Sequence, residues 1–294
     1  TGKWINAGEI ENEGIEISAF GDIFRSQNGF NWRMRLNWGK NNNTVNKLTS
    51  GLDKIQINSS WGGVVTEAQP GKPMGVIKAT DYYRDDQGRI VVDEDGFPQT
   101  ADNPSNQGNI TPDWTAGMTN TFSYKGLNLS VLVDGRKGGD FFSVTKMFGL
   151  YAGVLDETAK GDTRVNGIIG GKNIYTDETW VKEDGSVNDI AVDPQSFWSR
   201  YYSVKAASVI DGSYIKLREI SLGYTIPETI LPGFLQRATI SAYVHNAAVL
   251  WMHESNDIPI DPETSYGATL EGQGFEQFQL PPNRSIGLKV DLKF

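Results

Sequence analysis

The sequence contains no cysteine, which removes disulfides, thiolate metal sites and cysteine nucleophiles together. Histidine is nearly as scarce. His245 and His253 are the only two, too few for a three-histidine metal site. Long apolar runs are missing as well: the longest, Ala247 to Met252, has six residues against the roughly 20 that a spanning helix needs. The chain is therefore not a helical membrane protein. There is no basic cluster, and the formal net charge of the 294 residues is −9, which argues against nucleic acid as a partner because phosphate binding needs grouped Lys and Arg. The chain opens Thr-Gly-Lys-Trp with neither an initiator Met nor a charged segment leading into an apolar one, and it reads as part of a longer polypeptide.

What is present has a β character. Glycine reaches 33 residues and aromatics 11%, where glycine averages about 7%. Period-two alternation dominates and helical periodicity is scarce. Phe30, Trp32, Met34, Leu36 and Trp38 alternate with Asn31, Arg33, Arg35 and Asn37, and the last residues repeat the pattern with Ile286, Leu288, Val290, Leu292 and Phe294. Further stripes are Trp114 to Tyr124, Leu127-Leu129-Val131-Val133, Ile220-Leu222-Tyr224 and Ala238 to Val244. Ile215 and Leu217 precede the Ile220-Leu222-Tyr224 stripe in the opposite phase, as a β-bulge near Arg218-Glu219 would produce. The alternation predicts seven long strands, about 10–26, 29–46, 113–125, 126–137, 213–227, 236–250 and 283–294.

Strands longer than the usual five or six residues, with one apolar and one strongly polar face, suit a membrane barrel; a large soluble sandwich is the alternative. The connections alternate short and long. Turns at 26–29, 125–126 and 228–235 are short, whereas 47–112, 138–212 and 251–282 are long. Outer-membrane barrels have short periplasmic turns and long extracellular loops, and a chain ending on the periplasmic side places every connection correctly. The long connections hold 26 of the 36 acidic residues. This acidity fits a surface that meets saccharides and divalent cations, and equally a merely solvated one. Seven strands do not close a wide barrel, and single-chain bacterial barrels use even numbers. The expected fold is all-β: the carboxy-terminal strands of a large antiparallel transmembrane β-barrel, with residues 1–294 forming one barrel portion and the plug lying outside this chain.

Several stretches resemble the SusC/RagA family of TonB-dependent outer-membrane transporters. They are Glu11-Asn12-Glu13-Gly14-Ile15-Glu16-Ile17; Thr111-Pro112-Asp113-Trp114-Thr115-Ala116-Gly117 with Phe122-Ser123-Tyr124-Lys125-Gly126 and Gly138-Gly139; Gly212 to Glu219 with Leu222-Gly223-Tyr224; and Asp261-Pro262-Glu263 with Pro281 to Leu288 and Phe294. One departure is His245-Asn246-Ala247-Ala248, where the family often shows Arg-Asn-Leu. Segments 63–108 and 155–200 match nothing recognisable. The resemblance implies a 22-stranded plugged barrel in the bacterial outer membrane, a SusD-like lipoprotein lid over its loops, and TonB contact through a segment upstream of this chain. The cargo so implied is glycans or oligopeptides.

On this reading Trp32, Met34, Leu36, Trp38, Leu129, Val131, Leu288 and Val290 face lipid, and Phe294 is the signal read by the barrel-assembly machinery. Trp180, Trp198, Tyr201 and Tyr202 in the second long connection are candidate ligand or lid contacts, since sugar rings stack on aromatic faces; packing of loops against one another is the competing role. The acidic run Asp81 to Asp95 lacks calcium-loop spacing, because Gly96 would require an acid at position 91, which is Val91. Two hairpin turns account for it better. No cofactor is expected, and a structural divalent cation in a loop has no support from spacing. No catalytic constellation is recognisable: His-Glu-x-x-His, Gly-x-Ser-x-Gly and the phosphate loop are all missing. The reading is thus a transporter portion and not an enzyme, with a passive pore or adhesin, or a soluble saccharide-binding sandwich, as the alternatives.

Overall fold

The structure is a computed structural model that describes residues 8–27, 29–172, 178–264 and 273–294. Its largest element is a single antiparallel sheet of β1 (Gly8–Phe24), β2 (Asn31–Leu48), β3 (Pro112–Tyr124), β4 (Leu127–Gly138), β5 (Tyr214–Thr225), β6 (Arg237–Met252) and β7 (Ser285–Lys293), each beside its neighbour in sequence. Every strand end lies within two residues of the span the alternation predicts. The register shifts between Leu217 and Glu219 against both neighbouring strands, so the phase change in the sequence is a β-bulge at Arg218.

The register lines up the stripes into rows that run across the sheet. One row is Trp32, Phe122, Leu129, Leu222, Ala242 and Leu288; the next is Met34, Asn120, Val131, Ile220, Val244 and Ile286. A third carries Leu36, Met118, Val133, Leu217 and Ala248, and a fourth Ile17, Trp38, Ala116, Gly135, Ile215 and Trp251. The opposite face is polar. Its rows include Asp22, Arg33, Thr121, Ser130 and Ser221, and, farther along, Ser18, Asn37, Gly117, Asp134 and Lys216. Cross-strand partners satisfy that face: Ser18 Oγ donates to Asn37 Oδ1 at 2.9 Å and Arg33 Nε to Asp22 Oδ1 at 2.9 Å.

Aromatics bracket the apolar rows. At the end of the short turns, Phe122 packs against both Phe30 (6.0 Å between ring centroids) and Trp32 (5.8 Å). Trp38 and Trp251 lie at the other end, and six steps along β2 from Trp32 to Trp38 span about 20 Å. That is the arrangement of an apolar band between aromatic girdles.

The long connections are folded. The first contains a four-stranded antiparallel sheet of Ile55–Ser59, Val65–Ala68, Val76–Ala79 and Ser105–Asn109. The second adds two eight-residue helices, α1 (Val144–Tyr151) and α2 (Pro194–Tyr201), whose N-caps Ser143 and Asp193 accept from the backbone three residues on. Trp180–Val181 pairs with Ile90–Val91, and Phe141–Ser143 with Phe275–Glu276, so short strand pairs join the three connections. Two apolar cores fill the result. One gathers Ile90, Phe97, Ile168, Trp180, Phe197 and Trp198; the other Val64, Ile77, Phe142, Met147 and Phe275.

Candidate functional site

The polar face of the sheet meets the loop cores at the outer ends of β4 and β5, and the densest charge network among the described residues lies there. The bulge at Arg218 turns its guanidinium between a wall acid and a loop acid. Its Nη2 and Nε reach Asp134 Oδ2 and Oδ1 at 2.6 and 3.1 Å, while Nη1 and Nη2 reach Glu263 Oε2 and Oε1 at 2.8 and 2.9 Å. Lys216, buried one pleat away, holds Asp261 Oδ1 at 2.5 Å and Glu263 Oε2 at 2.6 Å. Tyr214 adds its hydroxyl to Glu263 Oε1 at 2.9 Å. Burial alone would raise the Glu263 carboxyl, but hydrogen bonds from Arg218 and Lys216 outweigh it and bring the group down to about 2.

These contacts strap segment 253–264 over the polar face. Arg136 extends the clasp by donating to the carbonyls of Gly212 (2.9 Å) and Pro262 (2.8 Å). Gly212 must be glycine here, because a Cβ would stand 2.1 Å from the carbonyl oxygen of Gly139. The family-like stretches Gly138-Gly139, Gly212 to Glu219 and Asp261-Pro262-Glu263 therefore converge on one place, although they are far apart in sequence. Beside them a groove of about 590 Å³ crosses β1 to β5, lined on the polar side by Glu16, Ser18, Asn37, Thr115 and Asp134.

The loop aromatics expected to touch ligand divide sharply. Trp180, Trp198 and Tyr201 are only 1, 3 and 6% exposed. They pack around Phe197 in the first core, and Tyr201 shares a short hydroxyl contact with Tyr82. Burial raises both of those phenols. As placed, these three rings offer no face to a ligand, and the ligand-contact expectation is corrected for them. Tyr202 alone is half-buried, at the edge of the second core beside Phe148 and Tyr151. Trp61, Phe148, Tyr151 and Phe278 escaped the sequence reading because they sit in stretches without periodicity. Asp85 and Asp93 close two turns, each accepting from backbone N–H groups two and four residues on. The acidic run thus forms the two expected hairpins.

Trp32, Met34, Leu36, Trp38, Leu129, Val131, Leu288 and Val290 all fall on the apolar face. Phe294 is 70% exposed at the short-turn end, its ring stacked on Phe234 at 6.4 Å between centroids.

No family model matches the chain. It is 29% identical, over 98% of its length, to TonB-dependent receptor P3 of Formosa agariphila, and 25% identical over the same share to TonB-dependent receptor P26 of that organism. It spans about 30% of the length of each curated relative. Among solved structures it superimposes over 98% of its length on 30% of a chain of the RagAB peptide importer in the closed-closed state, with a TM-score of 0.67 and 20% identity. The RagAB peptide transporter gives 0.66 and 19%. The resemblance read from the motifs is borne out at this level: the sheet is a partial antiparallel barrel, and the named relatives are TonB-dependent receptors.

Proposed function

We propose that this chain, a relative of TonB-dependent receptors, supplies wall and loops of an outer-membrane barrel that imports glycans or oligopeptides under a SusD-like surface lipoprotein. The observation that carries the reading is the two-faced seven-stranded sheet with every long connection at one end. A soluble sandwich would cover the apolar rows with a second sheet, whereas Leu222, Ile240, Leu288 and Val290 on that face are exposed. The apolar rows then meet lipid, the polar rows line the passage, and the folded loops stand outside the cell. Phe294 lies on the periplasmic side, where it serves as the barrel-assembly signal. Energy enters through TonB by way of protein outside this chain, and the reading assigns the chain no bond-making or bond-breaking chemistry.

The curated relatives, TonB-dependent receptors, support the coarse function, and the structural neighbours are a peptide importer and a peptide transporter. The choice between glycan and peptide rests with the loops. The test is to isolate the native polypeptide from outer membranes in detergent, measure its mass and identify co-purifying proteins. A product about three times this chain's length, bound to a lipoprotein and losing uptake when TonB is deleted, is expected. Uptake that persists without TonB would favour the passive pore, and extraction without detergent would end the barrel reading.

A further inference from the structure

Two lysines continue the apolar face of the sheet at its long-loop end. Lys40 on β2 lies two residues beyond Trp38, and Lys137 on β4 stands opposite Trp114 in the β3–β4 register. Gly39 pairs with Thr115 and Thr115 with Arg136. Lys40, Trp114 and Lys137 therefore stand one step beyond that row, a tryptophan flanked by two cations. Neighbouring strands are about 4.8 Å apart, which puts the two lysine backbones about 10 Å apart. Both lysines are exposed, and among the described residues neither is ion-paired, even with Glu13 or Asp113, the acids closest along the strands.

The surface on either side of this row suits an amphipathic ligand. On the loop side, β2 parts from β3 after Gly39–Thr115 and leaves a cleft of about 610 Å³ lined by Lys40, Asn41, Thr111, Pro112 and Trp114. Glu16 lines the same cleft from the polar face. On the other side, Ala116 and Gly135 lie next to each other between Trp38 and Ile215. Two small residues between two large ones leave a furrow in the apolar surface. Gly135 has no room to be larger, because a Cβ there would stand 2.6 Å from the Tyr214 carbonyl oxygen. Strands β2 to β4 are flanked by β1 and β5, so the site does not depend on what joins the free edges of the sheet.

We propose that Lys40, Trp114 and Lys137 hold the phosphate headgroup of an anionic lipid in the outer leaflet, with one of its acyl chains in the Ala116–Gly135 furrow. Lysine binds phosphate as a point charge, and a half-buried indole at the headgroup level presents an apolar body and a polar edge. A lysine that merely extends its ammonium to water needs neither the cleft nor the furrow. Charge and depth together point to a lipid. The long connections above are acidic and repel free anions, whereas the two unpaired cations stand at the membrane rim, where lipids present their phosphates. The inference rests on the barrel reading and adds to it a membrane ligand that transport does not require.

The test is native mass spectrometry of the full-length protein, delipidated in detergent and titrated with phosphatidylglycerol. Phosphatidylcholine of the same acyl chains is the zwitterionic comparison, and glycerol phosphate supplies the headgroup without chains. Phosphatidylglycerol is expected to bind preferentially, and Lys40→Gln combined with Lys137→Gln to weaken it about tenfold or more. Ala116→Leu fills the furrow with both lysines intact and is expected to weaken binding as well. Lys125→Gln, at the short-turn rim, is expected to change it little. The heat-dependent shift in gel mobility checks that each variant is folded. The proposal is overturned by equal binding of the two lipids, by a loss in Lys125→Gln as large as in the lysine pair, or by wild-type binding in Ala116→Leu. Displacement of the lipid by an equal concentration of glycerol phosphate overturns it too, since the site then takes a free anion. A protein that leaves membranes without detergent overturns the barrel reading itself, whereas one that needs detergent and shows no lipid preference overturns the lipid site alone.

Discussion

Trp32 donates its indole N–H to the side-chain oxygen of Asn120 at 2.9 Å, across the β2–β3 pair and between two adjacent rows of the apolar face. Asn120 is the one carboxamide in a row otherwise made of Met34, Val131, Ile220, Val244 and Ile286. On the proposed reading that row meets hydrocarbon, where an unpaired amide oxygen has no water to turn to. Trp32→Phe keeps an aromatic ring and strands that oxygen, at a cost of about 1–3 kcal/mol. In an Asn120→Leu background the same change is expected to cost much less. Urea unfolding of the four proteins in lipid vesicles gives the coupling, and additive effects would show that the bond contributes nothing.

Ser130 and Val131 are neighbours that point to opposite faces of β4. Val131 lies inside the apolar band, one row in from the Trp32 row, so Val131→Arg is expected to cost about 2 kcal/mol in a bilayer. Ser130→Arg places the same charge toward the polar face beside Thr121 and Ser221 and is expected to change little. Folding into vesicles, followed by the heat-dependent shift in gel mobility of barrel proteins, separates the two. Equal effects at both positions would contradict the assignment of the apolar face to lipid.

The strands were legible because their side chains answer to only two environments. A residue such as Met34 or Arg35 reports its face by its polarity, and the period of two carries through all seven strands. The bulge at Arg218 was legible for the same reason, as a slip in that period between Leu217 and Ile220. The loop cores were not. Trp180, Phe197 and Trp198 come together from segments without periodicity, through strand pairs of two residues such as Trp180–Val181 with Ile90–Val91. An aromatic residue in such a segment carries no mark of its burial. Trp61 and Trp180 look alike in sequence, yet one is exposed and the other sealed in a core. The clasp was half legible: Lys216, Arg218, Asp261 and Glu263 lay in family-like stretches, but only the fold brings the loop acids onto the wall bases.

Gly170 tests whether the loop core is as tightly packed as its burial indicates. A Cβ there would lie 1.9 Å from Cε3 of Trp180, a ring enclosed by Tyr82 and Phe197 with no room to retreat. Gly170→Ala is expected to destabilise the loop unit by about 1–3 kcal/mol or more through overpacking, while the sheet keeps its own unfolding transition. Limited proteolysis in detergent would show this as faster cleavage within 138–212 and an intact barrel fragment. Unchanged cleavage would mean that the first loop core is looser than its geometry.

The clasp on Glu263 gives a pH dependence with a definite sign. Its carboxyl is brought to about 2 in the folded protein, against an ordinary value of 4.5, because hydrogen bonds from Arg218 and Lys216 outweigh the opposing effect of burial. A carboxyl lowered on folding contributes stability that is fully present above its unfolded value and is lost as pH falls through its folded one. The strap formed by 253–264 should therefore hold unchanged from neutral pH down to about 4.5 and loosen between there and about 2. Hydrogen exchange of peptides covering the strap, corrected for the intrinsic rate at each pH, reads the change directly. Glu263→Gln removes the titrating group and leaves Lys216 with Asp261 alone, so its strap should exchange faster at neutral pH and show a flatter acid response. An identical acid profile in wild type and variant would contradict the assignment of the acid loosening to Glu263.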